Sequence, residues 1–267
     1  MNGDLEAIFA DLWDNYVALT PRANRIRELL AEGAPLPNDH VAFRGLAVDG
    51  MGIDALAAPF LERGFRAEGE YHFEKKKLFA RHFEHPDADV PKVFISELLV
   101  DQLSEASQSI LHRLIEEGRG ALPGDAPLML AGRPWTPSGA DYDQLLAESE
   151  YAAWMAAFGF RVNHFTVAVH QMDGHHLAEQ NDRLEQAGFD LNAAGGKIKG
   201  SKEIGLIQSS TLAEPTVVRF SDGPRTIPGV YYELAERFEV DGALYPGFVT
   251  GSADKIFEST DVRRAAP

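Results

Sequence analysis

The sequence predicts an α+β fold in which two repeated βαβββ modules form a curved mixed sheet, or partial barrel, around a metal site, with helices added to it. Short apolar runs typical of strands alternate with segments that have helical periodicity. The pattern of the first half recurs in the second half, as expected when a structural unit is repeated. A histidine begins the leading strand of each half, and each half has a glutamate in a later β-rich segment.

The first hundred residues are predicted to contain N-terminal helices (1–36) and module 1 (37–100). Apolar residues of 4–18 follow the spacing of one helical face, and a second short helix spans about 22–31. HVAFRGLAV (40–48) is almost continuously apolar, which is typical of a buried strand. A helix at 53–63, ended by Gly64, and strands at 71–84 and 93–100 complete the module.

The rest of the chain is predicted to form a helical insertion (101–160), module 2 (161–240) and a C-terminal pocket segment (241–267), all within a single domain. The insertion has helical patterns at 103–117 and 141–157 around a Pro- and Gly-rich loop. Module 2 has a strand at NHFTVAVH (163–170), a helix at 174–187 and further strands in IGLIQSST, TVVRF and VYYELAERF. The last segment is expected to be irregular and to fold back over the core.

The repeat is defined by the histidines. His164 lies 124 residues after His40, and in both halves a Gly-Phe pair places phenylalanine 25 residues after the histidine. Glu97 follows its histidine by 57 residues and Glu233 by 69, so equating the glutamates requires 12 inserted residues in module 2.

A metal site follows from this arrangement, because first-strand histidines and last-strand glutamates would point into one cavity. The four candidate ligands are His40, Glu97, His164 and Glu233. Two imidazoles and one carboxylate on one face are typical of non-haem Fe(II) oxygenases, in which three positions stay open. A fourth ligand would block one of them, so His40, His164 and Glu233 are favoured and a contact from Glu97 is left open. A glutamate inside YYELA also needs a nearby positive charge if it is buried.

Arg44 follows His40 by four residues on the same predicted strand, so both side chains face one side. Its guanidinium can grip a substrate carboxylate in a bidentate manner. A structural ion pair with Asp39 or another acid is the alternative, and spacing does not distinguish the two roles.

Composition narrows the class of protein. The formal net charge of −16 disfavours a nucleic-acid partner. The chain has no cysteine, which removes thiolate catalysis and disulfides and favours a reducing compartment. The acidic N-terminus is unlike a secretory leader, and no apolar run is long enough to cross a bilayer. We therefore expect a cytoplasmic protein without a membrane partner.

Several segments together resemble the 2-oxoadipate dioxygenase/decarboxylase family, whose fold is related to the vicinal oxygen chelate proteins: DHVAFRG (39–45), PKVFISEL (91–98), SEYAAWMAAFGFRVNHFTV (149–167), LIQSSTLA (206–213) and YYELAER (231–237). The chain is similar to the shorter bacterial members over roughly residues 5–260.

The resemblance implies a role for each matching position. His40, His164 and Glu233 would hold Fe(II), and Arg44 would bind a substrate carboxylate. TGSADKIF (250–257) is similar to a C-terminal pocket strand in which Ser252 contacts substrate, beside Gly251 where longer members have a bulkier residue. Gln208 would be a further pocket residue.

The implied reaction converts a 2-oxo dicarboxylic acid, 2-oxoadipate, and O₂ to 2-hydroxyglutarate and CO₂, as in lysine degradation. Alternatives are a metal-dependent lyase, isomerase or hydrolase on the same scaffold, or a non-catalytic protein that binds a small acid, because fold alone does not define function.

Overall fold

The computed structural model describes residues 3–122 and 127–260. The helices are α1 (Gly3–Val17), α2 (Arg22–Ala31), α3 (Ile53–Leu61), α4 (Glu105–Arg119), α5 (Gly139–Glu148), α6 (Glu150–Phe158), α7 (Leu177–Gln186) and α8 (Thr250–Ile256). The strands are β1 (Asn38–Leu46), β2 (Arg66–Phe73), β3 (Leu78–Glu84), β4 (Lys92–Leu98), β5 (Val162–Ala168), β6 (Lys199–Ser201), β7 (Leu206–Ser210), β8 (Pro215–Phe220), β9 (Gly223–Pro228), β10 (Tyr231–Arg237), β11 (Glu239–Val240) and β12 (Ala243–Leu244).

The main sheet curls into a half-barrel of eight strands, in the order β2-β3-β4-β1-β5-β10-β7-β6. In each half the first strand pairs in parallel with the last, β1 with β4 and β5 with β10. The two halves join where β1 and β5 run antiparallel. The predicted α+β fold of two βαβββ modules with added helices is therefore confirmed.

The hairpin of β8 and β9 stands outside the main sheet as a separate two-stranded sheet, between β7 and β10 in the chain. This is the extra segment of module 2 that the unequal histidine-to-glutamate spacing indicated. TVVRF therefore forms a strand, but this strand does not belong to the sheet that carries the site.

Strand register corrects the predicted equivalence of the two glutamates. His40 pairs with Lys92, and His164 pairs with Tyr231. Counting from these partners, Glu233 is the counterpart of Phe94, and Glu97 is the counterpart of Glu236. Glu97 accepts a hydrogen bond from the backbone N–H of Ile53, at the start of α3. Glu236 accepts one from the backbone N–H of Leu177, at the start of α7. Glu97 is thus a helix-capping residue, and the sequence spacing paired it with the wrong glutamate.

Alternation along β5 separates the two faces of the sheet. On one face, Phe165 packs against the rings of Trp13 and Tyr16 from α1. On the other face lies His164, which points into the half-barrel. The predicted helix at 141–157 is two helices, because Ser149 has extended backbone angles and caps the start of α6 with its side chain.

The C-terminal segment differs from the prediction. Residues 250–256 form a helix, not a pocket strand, and this helix packs on β2, β6 and β7. The segment does fold back over the sheet, as expected, although the part at 261–267 lies outside the described residues. Among the described helices, none combines the length and apolar character that a bilayer span requires.

Candidate active site

The centre of the half-barrel brings together three side chains that are distant in sequence: His40 on β1, His164 on β5 and Glu233 on β10. Nε2 of His40 lies 3.4 Å from Nε2 of His164 and 3.7 Å from Oε1 of Glu233. Nε2 of His164 lies 3.2 Å from Oε2 of Glu233. All three side chains are buried, and their donor atoms lie within 4.8 Å of one another. Within the described ranges, this is the one group of such residues that could hold a metal ion.

The residue before each histidine fixes which ring nitrogen faces the centre. Nδ1 of His40 lies 2.7 Å from Oδ2 of Asp39, and Nδ1 of His164 lies 2.9 Å from Oδ1 of Asn163. Because these oxygens accept hydrogen bonds, Nδ1 carries the proton and Nε2 presents its lone pair. An irregularity between Asn38 and His40 interrupts the regular pairing of β1 with β5 at Asp39.

The electrostatics of the site also suit a cation. Burial, together with the neighbouring His40 and Arg44, holds the pKa of His164 well below its ordinary value, so this imidazole is neutral. Burial raises the pKa of Glu233 to about 7, although His40 and a hydrogen bond from Gln208 oppose the rise. The neutral imidazole of His164 and a carboxylate that is costly to bury alone fit a divalent metal.

A second charge pair lies behind His40. Nε and Nη2 of Arg237 donate to the two carboxylate oxygens of Asp39, at 2.6 and 2.9 Å, and both side chains are buried. Burial alone would raise the pKa of Asp39, but the charge of Arg237 and the hydrogen bond with His40 hold it well below its usual range. The carboxylate that orients His40 is therefore ionised, and the positive charge of Arg237 balances it.

The cavity beside the three side chains has a volume of about 20 Å³. A water molecule needs about 10–15 Å³ of such space, so the walls enclose little more than one water. Tyr231 stacks on His164 with ring centroids 4.6 Å apart. The remaining wall is mostly apolar and includes Phe94, Phe248, Ala253, Ile256 and Phe257.

Arg44 is buried next to this cavity, not inside it. It donates to Glu150 at 2.9 Å and to Thr260 at 3.1 Å, and its guanidinium lies over the rings of Tyr151 and Trp154. Phe257 contacts both the guanidinium and the cavity. An ion pair with an acid, one of the two predicted alternatives, is thus present. The acid is Glu150, whereas Asp39 pairs with Arg237.

The other predicted pocket residues fall in different places. Gln208 lines the cavity and donates to Oε1 of Glu233 at 2.5 Å. Ser252 is buried and Gly251 is exposed, but neither lines the cavity, because α8 turns Ala253 and Ile256 towards it. These roles in substrate binding stay predictions.

Sequence reasoning missed several residues around the centre. Asn163 stands 124 residues after Asp39, so the repeat itself held the signal for both histidine partners. Phe94 and Tyr231 could be found only from strand register. Phe248 belongs to an irregular segment, and its ring lies 4.8 Å from that of His40.

Comparison with known proteins places this chain in a family. The family model described as 2-oxoadipate dioxygenase/decarboxylase matches residues 11–126 and 128–240. The chain is 36% identical, over 92% of its length and 74% of the relative's, to the chloroplastic 2-oxoadipate dioxygenase/decarboxylase of Arabidopsis thaliana.

Two solved structures are similar to this chain over nearly its whole length. The hydroxyglutarate synthase of Oryza sativa in complex with 2-oxoadipate is 34% identical with a TM-score of 0.91, covering 100% of this chain and 96% of that one. A protein from Shewanella frigidimarina, named as a hydrolase, is 46% identical with a TM-score of 0.88, covering 94% of this chain and 99% of that one.

The fold alone is shared more widely. A glyoxalase superfamily protein from Ralstonia eutropha has a TM-score of 0.77 at 21% identity, covering 92% of this chain and 85% of that one. This likeness confirms the predicted relation to the vicinal oxygen chelate fold. The family match decides between the predicted alternatives of an enzyme and a non-catalytic binding protein. The chain belongs to the 2-oxoadipate dioxygenase/decarboxylase family and is an enzyme of that class.

Proposed function

We propose that this chain is an Fe(II)-dependent enzyme that converts 2-oxoadipate and O₂ to 2-hydroxyglutarate and CO₂. The observation that carries the proposal is the set of three donor atoms, from His40, His164 and Glu233, that face one point. One carboxylate and two imidazoles leave half of an octahedral sphere open, as non-haem iron oxygenases require. Iron bound there would supply the redox chemistry with oxygen.

The protein's own groups would hold and orient the acid. A divalent cation and one ionised carboxylate give the centre a net charge of +1, which favours an anionic substrate in an otherwise acidic protein. We propose that Arg44 takes the distal carboxylate and that Gln208, while holding Glu233, lies beside the bound acid. Ser252 and Gly251 on α8 are proposed as further substrate contacts.

Binding requires the cavity to widen. A cavity of about 20 Å³ does not accommodate a six-carbon dicarboxylate. The side chains that we expect to move are Ala253 and Ile256, which line the cavity from α8, and Phe257, which contacts both the cavity and the guanidinium of Arg44. Once the acid is bound, the apolar wall would exclude water from the reacting carbon.

The direct test is anaerobic loading of the protein with Fe(II), followed by 2-oxoadipate and air, with oxygen uptake, CO₂ release and 2-hydroxyglutarate measured together. We expect equal amounts of all three. His164→Ala should lose the metal, whereas Arg44→Ala should keep it and raise KM. Full iron occupancy in His164→Ala would refute the ligand assignment, and no turnover of any 2-oxo acid by the iron-loaded protein would refute the reaction.

A metal-dependent hydrolase is the second candidate, because the Shewanella relative is named as a hydrolase and the three side chains here could hold a metal ion. A hydrolase would work with Zn(II) and would consume no oxygen. The same assay therefore separates the two activities.

We also propose a cytoplasmic location and a role in lysine degradation. The absence of cysteine supports a reducing compartment. Fractionation of the source cells, and growth of a deletion strain on lysine, would test these two points.

A further inference from the structure

The site has an approximate two-fold symmetry that the ligand set does not follow. Across the junction of the modules, His40 pairs with Thr166 and Ala42 pairs with His164. In the repeat, His40 corresponds to His164 and Ala42 corresponds to Thr166, so exchanging the modules converts one pair into the other. A pseudo-two-fold axis therefore passes between the histidines. A position in one module therefore has a counterpart at a similar place relative to the centre.

Three of the four inward positions related by this axis hold metal-ligating side chains, and the fourth holds Phe94. Glu233 lies two residues after the partner of His164, and Phe94 lies two residues after the partner of His40. Phe94 is buried and lines the same cavity as the three ligands. Its ring lies 4.9 Å from that of Phe248 and 5.6 Å from that of Tyr71, so this side of the centre is aromatic.

We propose that Phe94 determines the class of reaction by keeping a fourth protein ligand out of the coordination sphere. This inference rests on the proposed function. A carboxylate at this position would reach the cation from the face opposite Glu233. It would fill a position that the substrate and oxygen need, and it would cancel the net positive charge that attracts an anionic acid. Phe94 offers no donor atom, so that coordination position stays free for substrate or oxygen and its surroundings are apolar.

The symmetry predicts that a carboxylate at position 94 can bind the metal in place of the carboxylate at position 233. Glu233→Phe should lose metal affinity by more than about tenfold, since loss of even an outer partner of a ligand costs about that much. The double change Phe94→Glu with Glu233→Phe should recover at least about tenfold of that loss, because it moves the carboxylate across the axis. Recovery should be incomplete, since the counterpart of Gln208 in register is Ala80, which offers no hydrogen bond.

Phe94→Glu alone should hold metal more tightly than the original protein and should lose most of its oxygen uptake with 2-oxoadipate. In the absence of metal its two buried carboxylates repel each other, so its melting temperature should be low and should rise strongly with Zn(II). Phe94→Leu is the matched control for metal binding, because leucine adds no ligand, and its Zn(II) affinity should match that of the original protein.

The experiment measures Zn(II) affinity by competition with a chromophoric chelator, the melting temperature with and without Zn(II), and oxygen uptake after Fe(II) loading. A Zn(II)-induced rise in melting temperature for Phe94→Glu no larger than that of Phe94→Leu would overturn the proposal. So would full oxygen uptake by Phe94→Glu. The zinc measurements do not depend on the reaction. If the original protein consumed no oxygen, the proposed function would fail while the position of the fourth ligand was still tested.

Discussion

Asp39 lies between a metal-ligand candidate and a buried cation: its Oδ2 atom is 2.7 Å from Nδ1 of His40, and Arg237 binds both of its oxygens. Arg237 also donates to the backbone oxygens of Tyr245 and Gly247, next to Phe248 in the cavity wall. One buried carboxylate thus connects the orientation of a metal-binding ring with the segment that closes the cavity.

Asp39→Asn should therefore weaken metal binding without removing any of the three ligands. An amide is a weaker acceptor than a carboxylate and leaves Arg237 without its counter-charge. We expect metal affinity to fall by about 10- to 100-fold and the unfolding free energy to fall by about 3 kcal/mol. Titration with a metal–chelator pair and urea denaturation would check these values.

Asn163→Asp is the control, because Asn163 holds His164 in the same way, and in the described part of the chain no arginine donates to it as Arg237 does to Asp39. This variant adds an unpaired buried carboxylate, so it should lose stability in the metal-free state and regain it when metal binds. Equal metal affinities for Asp39→Asn and the original protein would show that the charge on Asp39 does not act through His40.

Tyr231 is a second residue whose role can be isolated. Tyr231 lines the cavity, and its hydroxyl is buried without a hydrogen-bond partner among the described residues. Burial raises the pKa of this phenol well above its ordinary value, so the hydroxyl is a neutral donor. Tyr231→Phe should leave stability within about 1 kcal/mol. If the hydroxyl donates to bound substrate, kcat should fall by about tenfold.

The comparison for this prediction is Tyr232→Phe, since Tyr232 points to the opposite face of β10 and packs near Trp13. That change should not alter kcat. A loss of stability in Tyr231→Phe with unchanged kcat would assign the hydroxyl a structural role only.

The repeat made the fold and the two histidines of the site predictable. A spacing of 124 residues links His40 to His164, and it also links their neighbours Asp39 and Asn163. Sequence spacing failed for the glutamates, because the β8–β9 hairpin shifts module 2 and a similar local pattern surrounds Glu97. Only the pairing of β1 with β4 and of β5 with β10 shows which residues are counterparts.

The wall of the cavity was not predictable in the same way. Apolar residues that line a site have the same pattern as apolar residues of the core, so Phe94 resembles any buried strand residue. α8 carries glycine and serine in its first turn, a composition that does not favour a helix. Its helical form follows from packing on β2, β6 and β7 rather than from local preference.

Glu150 gives a test of how Arg44 is used. The carboxylate of Glu150 accepts a hydrogen bond from Nη1 of Arg44, a donor that a substrate carboxylate would need. Thr260 donates to the same carboxylate. Glu150→Gln removes the competing charge while keeping the shape of the side chain. We expect KM for 2-oxoadipate to fall by about threefold to tenfold, equivalent to roughly 1 kcal/mol, with little change in kcat.

The six-carbon monoacid 2-oxohexanoate is the matched substrate for this test, because it lacks the distal carboxylate. Its KM should not change in Glu150→Gln. A higher KM for 2-oxoadipate in this variant would mean that Glu150 orients Arg44 for substrate instead of competing with it.

The pKa of Glu233 predicts how the metal-free protein responds to pH. The folded value of about 7 lies above the ordinary value of 4.5, so the folded state binds more protons than the unfolded state between these pH values. Stability is therefore highest below the ordinary value and is lost as pH rises through about 7. The expected loss is about 3 kcal/mol, from the conversion of pKa units to free energy.

Glu233→Gln isolates this contribution, since the amide resembles the protonated acid and does not titrate. The two chelator-treated proteins should have similar unfolding free energies near pH 5, and the variant should be more stable by about 3 kcal/mol near pH 8. Zn(II) should reverse that order at pH 8, because metal binds the ionised carboxylate. Urea denaturation at both pH values, with and without Zn(II), gives the four free energies. A difference between the metal-free proteins that does not change with pH would mean that Glu233 is already ionised at pH 5, in conflict with its burial.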